Sequence, residues 1–506
     1  MLALIAVVAA GALLLSGGSG ADPKTPDGLP GMPPPFLGVA VLGDGGLTAS
    51  IDAYGDVVDL RAGPAGRALI ENRSGRQAAG TVPADTGIQV WVRVGGEELP
   101  MWRADEVRQR YLPGTNVLRT AARFGRDEVR IEQAAQGEAL AMRLAGGSPA
   151  SLRVNAGLGC ERRRRGDVLT AVCALGPSAP GTTSFINLGG TLDRRWLRRA
   201  RPLGGGAPAW ATEMYERSLL VLHALTDRRS GAVAAGARDG WAYVWPRDAA
   251  AAAIAYAAAG YRPEAEHSTQ FLLGLGLGHA ARFHGDGGPV PARAAQGDSV
   301  GWVAAASQAA GIIGSAHQAA HILAGGEPIP WRDRADYWEG EPGNFLGNAL
   351  ATRANVSEFT GHIDTPSSDT PLSGLVREAG NPDAGLDSAA AWGVRPFPRP
   401  GLYPAIRATL NRLVSQATPY GITPGEEWPG GDDPWSAPTA WTAWSLAALG
   451  ERGEALRLMQ ALRRSATPAG ALPERVDAES GIPRSTTPLA WSHAFAILAL
   501  RQLWPA

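Results

Sequence analysis

Four stretches in the C-terminal part of the chain leave no polar face. They are AAAAAIAYAAA (249–259), WVAAASQAAGIIGSAHQAAHIL (302–323), WTAWSLAAL (441–449) and PLAWSHAFAILALRQL (488–503). A helix that is apolar all round must be covered on every side. A water-exposed domain achieves this by ringing an inner set of helices with an outer set, and Ala and Gly let the inner helices approach closely. The chain has the size for it: 506 residues, 45% hydrophobic and 19% charged, so two domains are expected. The net charge of −1 supplies no field for nucleic acid or an anionic membrane. Trp is abundant, 16 against 9 Phe and 9 Tyr, and indole faces suit both core packing and sugar rings.

The pattern changes along the chain. Residues 1–21 run apolar from Leu2 to Leu15 and end in small and polar residues. Such a run is short for a membrane span and reads as a signal peptide, with an uncleaved N-terminal anchor as the alternative; either implies export, and a membrane tether would run only through this segment. A Pro/Gly-rich linker follows (22–35). From 36 to 190, short alternating runs such as TGIQVWVRV and DEVRIEQAA, separated by Gly or Asp turns, predict an antiparallel β-sandwich. Within it, alternating residues flank RRRRGD and predict a hairpin with Cys160 and Cys173 on opposing strands, a candidate disulfide in an exported protein. Residues 191–209 read as a basic linker helix with a Gly tail. Helices are expected near 208–226, 247–259, 263–277, 299–323, 344–354, 385–393, 402–416, 437–449, 451–463 and 487–503, with a further one inside 355–384.

Long loops between these helices carry acids beside aromatic, Pro or Gly residues: WAYVWPRD (241–248), RADYWEGEPGN (334–344), TPGEEWPGGDDPW (423–435) and ALPERVDAESG (471–481). Singly each has a plain reading. Asp248 at a helix start is a first-turn acid, DYWEGE an acidic turn, LPERVD a solvated loop, and the GEEWPGGDDPW acids lack EF-hand spacing. Together they suit glycosidic-bond cleavage, which needs one protonated and one ionised carboxyl group. Glu339, directly after Trp338, is expected to be desolvated by indole and so suited to act as an acid; Glu474, in a polar loop, suits a base. No G-x-S-x-G, P-loop or H-E-x-x-H is present, and no cofactor or metal is expected.

The segments YVWPRDAAAAAIAYAAAGY, QGDSVGWVAAASQA, ADYWEGEPGNFLGNAL, GLDSAAAWG, GGDDPW and LPERVDAESGIPRSTTPLAWSHAFAILAL occur in the order seen in glycoside hydrolase family 15, the glucoamylases, glucodextranases and related α-glucosidases and trehalases. The resemblance covers about 210–506, and the β region resembles more weakly the sandwich that precedes the catalytic domain in prokaryotic members. It implies an (α/α)6 barrel over 210–506 and inversion at the anomeric carbon, with the two carboxyls roughly 6.5–9.5 Å apart. By resemblance Glu339 is the general acid and Glu474 the general base, Arg247 and Asp248 clamp hydroxyls of the terminal sugar, and Trp241, Trp245, Trp338 and Trp491 line the site. The chain departs from fungal members at Gly340, which follows the acid, at Arg475, which follows the base, and in lacking an Arg within GITPGEEW. Arg475 is also expected to lower the pKa of Glu474.

The expected function is exo-acting hydrolysis of an α-glucan or oligosaccharide that releases glucose from non-reducing ends. Trehalose hydrolysis or another α-glucosidase activity on the same barrel is one alternative. Phosphorolysis is disfavoured because it needs no carboxylate base. A carbohydrate-binding envelope protein that has lost catalysis is the alternative outside enzymology.

Overall fold

The computed structural model describes Leu29 and residues 31–71, 87–147, 149–154, 159–174, 188–238, 240–291, 293–313, 330–363 and 372–506. The apolar N-terminal segment, most of the Pro/Gly-rich linker and the end of the helix expected to run to 323 lie outside these residues.

The first part is antiparallel β. In chain order its strands are β1 (Gly38–Gly43), β2 (Leu47–Asp52), β3 (Val57–Ala62), β4 (Arg67–Ile70), β5 (Ile88–Val94), β6 (Glu97–Pro100), β7 (Glu106–Tyr111), β8 (Leu118–Phe124), β9 (Asp127–Gln136), β10 (Ala139–Gly146), β11 (Ala150–Val154), β12 (Gly159–Arg165) and β13 (Val168–Ala174). One sheet runs β1-β2-β3-β5-β11 with β4 beside β3 and β6 beside β5; the other runs β12-β13-β10-β9-β8-β7. A shared apolar core, including Val57, Leu60, Ile131, Leu140 and Leu144, joins the two sheets into a sandwich. Strand β8 alternates buried and partly exposed positions, as a sheet with one solvated face requires. Cys160 lies opposite Cys173 across β12 and β13, and the two form a disulfide, as the hairpin pattern predicted.

Strands β1 and β2 are buried at every position: one face joins the sandwich core, and on the other the helix Ala209–Leu225 packs against β1 and meets β2 at Thr48. The helices are α1 (Thr191–Leu197), α2 (Ala209–Leu225), α3 (Pro246–Ala259), α4 (Arg262–Leu273), α5 (Ser299–Ala309), α6 (Leu346–Ala351), α7 (Tyr403–Ser415), α8 (Ser436–Ala448), α9 (Arg452–Ser465) and α10 (Ala490–Leu503). Helix α2 seals the domain junction: Thr48 Oγ1 donates to the Ala224 carbonyl (3.3 Å), and the Asn116 amide donates to Gly43 (3.0 Å) and Leu220 (2.9 Å).

Helix α3 packs on α5, α5 on α6, α6 on a 3₁₀ segment (Ser388–Gly393), that segment on α8, α8 on α10, and α10 back on α3. These are the apolar stretches, and small side chains permit the spacing. A Cβ on Gly301 of α5 would lie 2.2 Å from the Ala351 carbonyl oxygen. Trp302, Trp392, Trp441 and Phe495 fill the middle, with edge-to-face contacts of 5.2 Å (Trp302–Trp392), 5.5 Å (Trp392–Trp441) and 5.5 Å (Trp441–Phe495).

Several expectations are corrected. The region 355–384 contains a β-hairpin, Thr360–Ile363 with Leu372–Leu375, where Gly361 and Gly374 face each other and β-branched residues favour extended backbone. The 385–393 helix is a short 3₁₀ turn capped by Asp387, whose side chain accepts from Ala389 N. Helix α5 ends at Ala309, two residues before Gly311 turns into the left-handed region at φ +74°. The helix expected over 263–277 is shorter: α4 ends at Leu273, ahead of Gly274.

Candidate active site

Loops entering the N-terminal ends of α3, α5, α6, α8 and α10 converge on one cavity of about 510 Å³. Every residue the sequence nominated for binding or chemistry lines it: Glu339, Glu474, Trp241, Trp245, Arg247, Asp248, Trp338 and Trp491. Tyr337 and Trp491 continue downward into the aromatic filling, with Tyr337 5.3 Å and Trp491 5.3 Å from Trp441.

Asp248 is in the first turn of α3, yet its side chain makes no capping bond. It is instead part of a buried ion network. Arg247 reaches Asp248 at 3.2 Å, Asp298 at 3.1 Å and Gln296 at 2.8 Å, and its guanidinium lies 4.5 Å from the Trp491 ring. Burial pushes the Asp248 carboxyl up to about 7 against the pull of Arg247. Asp298 is also raised by burial and lowered by the same arginine.

Glu339 closes a tight turn in which its N–H donates to the Asp336 carbonyl (3.0 Å) and its own φ is +59°. That conformation is uncommon for a residue with a Cβ. Asp336 holds the turn by accepting from Trp338 N (3.0 Å) and pairing with Arg377 through two bonds of 3.0 and 3.1 Å. Arg377 in turn stacks 4.1 Å over Trp338. Glu339 accepts from Trp245 Nε1 (2.6 Å) and Gln296 Nε2 (3.1 Å) and pairs with Arg293. The expectation of an apolar setting against Trp338 is therefore corrected: the carboxylate is met by donors, because the turn aims it across the cavity at α3 and the loop before α5.

Glu474 accepts from Trp241 Nε1 (3.3 Å) and from the Ser485 hydroxyl. Burial raises its pKa, and Ser485, Trp241 and Arg475 pull the other way. The expectation of a polar, solvated loop is thus corrected, while Arg475 does pull the carboxyl down as expected and is outweighed by burial. Arg475 turns its guanidinium to Asp433 (3.4 Å), and desolvation dominates.

Sequence reasoning missed Arg238, Arg293, Gln296, Trp428, Trp435 and Ser485. Gln296 and Trp435 sit inside segments that carried the resemblance, and Trp428 inside an acidic-aromatic loop already singled out, so proximity to those motifs was the available signal. Two of the four GEEWPGGDDPW acids are engaged in ion pairs: Glu426 with Arg412 (3.1 Å) and Asp433 with Arg475 and Arg484.

No protein-family model matches the chain, and no curated protein matches it. Among solved structures, a bacterial glucoamylase complexed with acarbose is similar over 92% of this chain and 94% of its own, at 14% identity and a TM-score of 0.69. A wild-type glycosidase (19% identity, 59% of this chain and 99% of that one, TM-score 0.49) and the glucoamylase from Saccharomycopsis fibuligera (14%, 60% and 97%, 0.46) are partial likenesses. The chain therefore has a glucoamylase-like fold, an antiparallel sandwich followed by a helical domain with a tryptophan-lined cavity at the helix starts.

Proposed function

We propose that the chain is an exported, inverting, exo-acting α-glucoside hydrolase of the family 15 type, built on an (α/α)6 barrel. One observation carries the reading: Glu339 and Glu474, 135 positions apart in sequence, reach the same cavity, and each accepts an indole N–H from the loop leading into α3. Glu339 donates its proton to the glycosidic oxygen as the bond to the anomeric carbon breaks. Glu474, ionised and oriented by Ser485 and Trp241, takes a proton from the water that attacks the opposite face. Arg247 and Asp248 meet the hydroxyls of the terminal glucose, the guanidinium donating and the carboxylate accepting. The closed aromatic floor at Tyr337 and Trp491 suits a chain end rather than a chain running through. The disulfide in the sandwich supports export, since such bonds persist in oxidising compartments.

The test is incubation of the protein with maltose, isomaltose, trehalose and dextrin, with released glucose assayed and its anomer followed by NMR. The expected outcome is β-glucose as the first product from at least one α-linked substrate. No glucose from any of the four removes the hydrolase reading, and α-glucose as first product removes inversion.

A further inference from the structure

Among the described residues, five arginines and three carboxylates line the cavity. Arg247 is taken up by Asp248, Asp298 and Gln296. Arg475 and Arg484 share Asp433 at 3.4 and 3.8 Å. Arg293 is different, because the ion-pair partner shown for it is Glu339 itself, and its side chain is 39% exposed and so has room to swing. The wall also keeps unmet donors: the Nε1 atoms of Trp428 and Trp491 are buried without a described hydrogen-bond partner. Such a lining favours a ligand rich in acceptors.

Under the hydrolase reading, on which this inference rests, the pairing of Arg293 with Glu339 creates a conflict. Glu339 must hold a proton when the leaving oxygen departs, and a guanidinium against a carboxyl favours the ionised form. A neutral leaving group offers Arg293 no other anion. One that carries an oxyanion does, and a guanidinium pairs well with a planar carboxylate.

We propose that the substrate is an α-glucoside whose leaving group carries an oxyanion, and that Arg293 reads this group by exchanging its pairing with Glu339 for one with the substrate. The bond changes are those of hydrolysis. The anomeric C–O bond breaks, and the Glu339 proton passes to the leaving oxygen. A water oxygen bonds to the anomeric carbon, and its proton passes to Glu474. The substrate oxyanion stays unchanged and paired with Arg293.

Maltobionate and maltitol carry the same α-1,4-linked glucose on an open-chain aglycone that ends in a carboxylate or an alcohol. The full-length protein is expected to show kcat/KM for maltobionate about tenfold or more above that for maltitol, in line with a charge-assisted contact. In Arg293→Ala that ratio falls to about one, and in Arg293→Lys part of it returns, since the charge survives without the fork. Equal kcat/KM for the two substrates, or a ratio untouched by Arg293→Ala, overturns the proposal. Calorimetric binding of both compounds to Glu474→Gln separates it from the parent reading. Tighter binding of maltobionate to that variant, with no hydrolysis of either compound by the unaltered protein, keeps the anion site and removes the hydrolase. Equal binding to the variant, with no hydrolysis by the unaltered protein, removes both.

Discussion

Glu339 and Glu474 enter the same cavity from backbones of opposite kinds. Glu339 sits on a turn with positive φ, a conformation that costs on the order of 1 kcal/mol or more. The surroundings of that turn hold it there: Asp336 accepts from Trp338 N and ties down Arg377, and Arg377 covers the Trp338 ring. Glu474 sits on a backbone satisfied by its neighbours, its N–H donating to Thr486 (2.9 Å) and its carbonyl accepting from Ser436 (3.0 Å). Their side chains differ too. Charged and neutral donors converge on Glu339, whereas Glu474 is dominated by lost solvation. One carboxyl is thus positioned by an electrostatic scaffold outside the cavity, the other by a local ladder and a hydroxyl. Damage to either side should carry its own kinetic signature.

The largest effect comes from removing each carboxyl in turn. Glu339→Gln is expected to lower kcat on maltose by on the order of a thousandfold or more. It should retain much of its rate on α-glucosyl fluoride, whose leaving group needs little protonation. Glu474→Gln is expected to lose both substrates, because no group remains to activate water. Circular dichroism and thermal melting report whether the fold is kept. Equal loss on the fluoride in both variants would break the division into acid and base sides.

The eight residues nominated from the sequence all reach the cavity because each belongs to a segment that combines a helix start with aromatic and acidic residues, and ring-forming helices bring their starts together. The sandwich was legible where alternation was clean, as in β7 and β8, and the paired cysteines were legible from the hairpin around RRRRGD. The electrostatics were not. Arg293 meets Glu339 from 46 positions away and Ser485 meets Glu474 across an irregular loop, pairings that no local pattern encodes. The reversed settings of the two glutamates follow from this. Adjacency to Trp338 in sequence predicted an apolar environment, whereas the positive-φ turn carries the Glu339 carboxylate across to Trp245. The hairpin at 360–375 escaped for a related reason: its strands have four residues each, too few for periodicity to register.

A smaller effect should appear only on the acid side. Asp336→Asn keeps an acceptor for Trp338 N but discards the charge that pairs with Arg377, so the turn loses its anchor while Glu339 remains. A loss of on the order of tenfold in kcat on maltose is expected, since small misplacements of a reacting group are costly. The rate on α-glucosyl fluoride should fall much less. Parallel loss on both substrates would show that Asp336 supports the whole cup, Glu474 included, and the two sides would no longer be independent.

The smallest effect belongs to the base side and is read in pH rather than rate. Glu474 must be ionised to accept a proton from water, and burial raises it above the ordinary 4.5, so the acid limb of kcat/KM should lie above pH 4.5. Activity is then present above that limb and lost as pH falls through it. The Ser485 hydroxyl stabilises the ionised form, so Ser485→Ala removes a downward pull and the limb should move further up, with only a few-fold loss on the plateau. The same variant should leave the ratio of maltose to α-glucosyl fluoride turnover close to that of the unaltered protein, because protonation of the leaving group is not its task. A limb that moves down, or a changed substrate ratio, would mean that Ser485 acts on the acid rather than the base, and the assignment of the two glutamates would have to be exchanged.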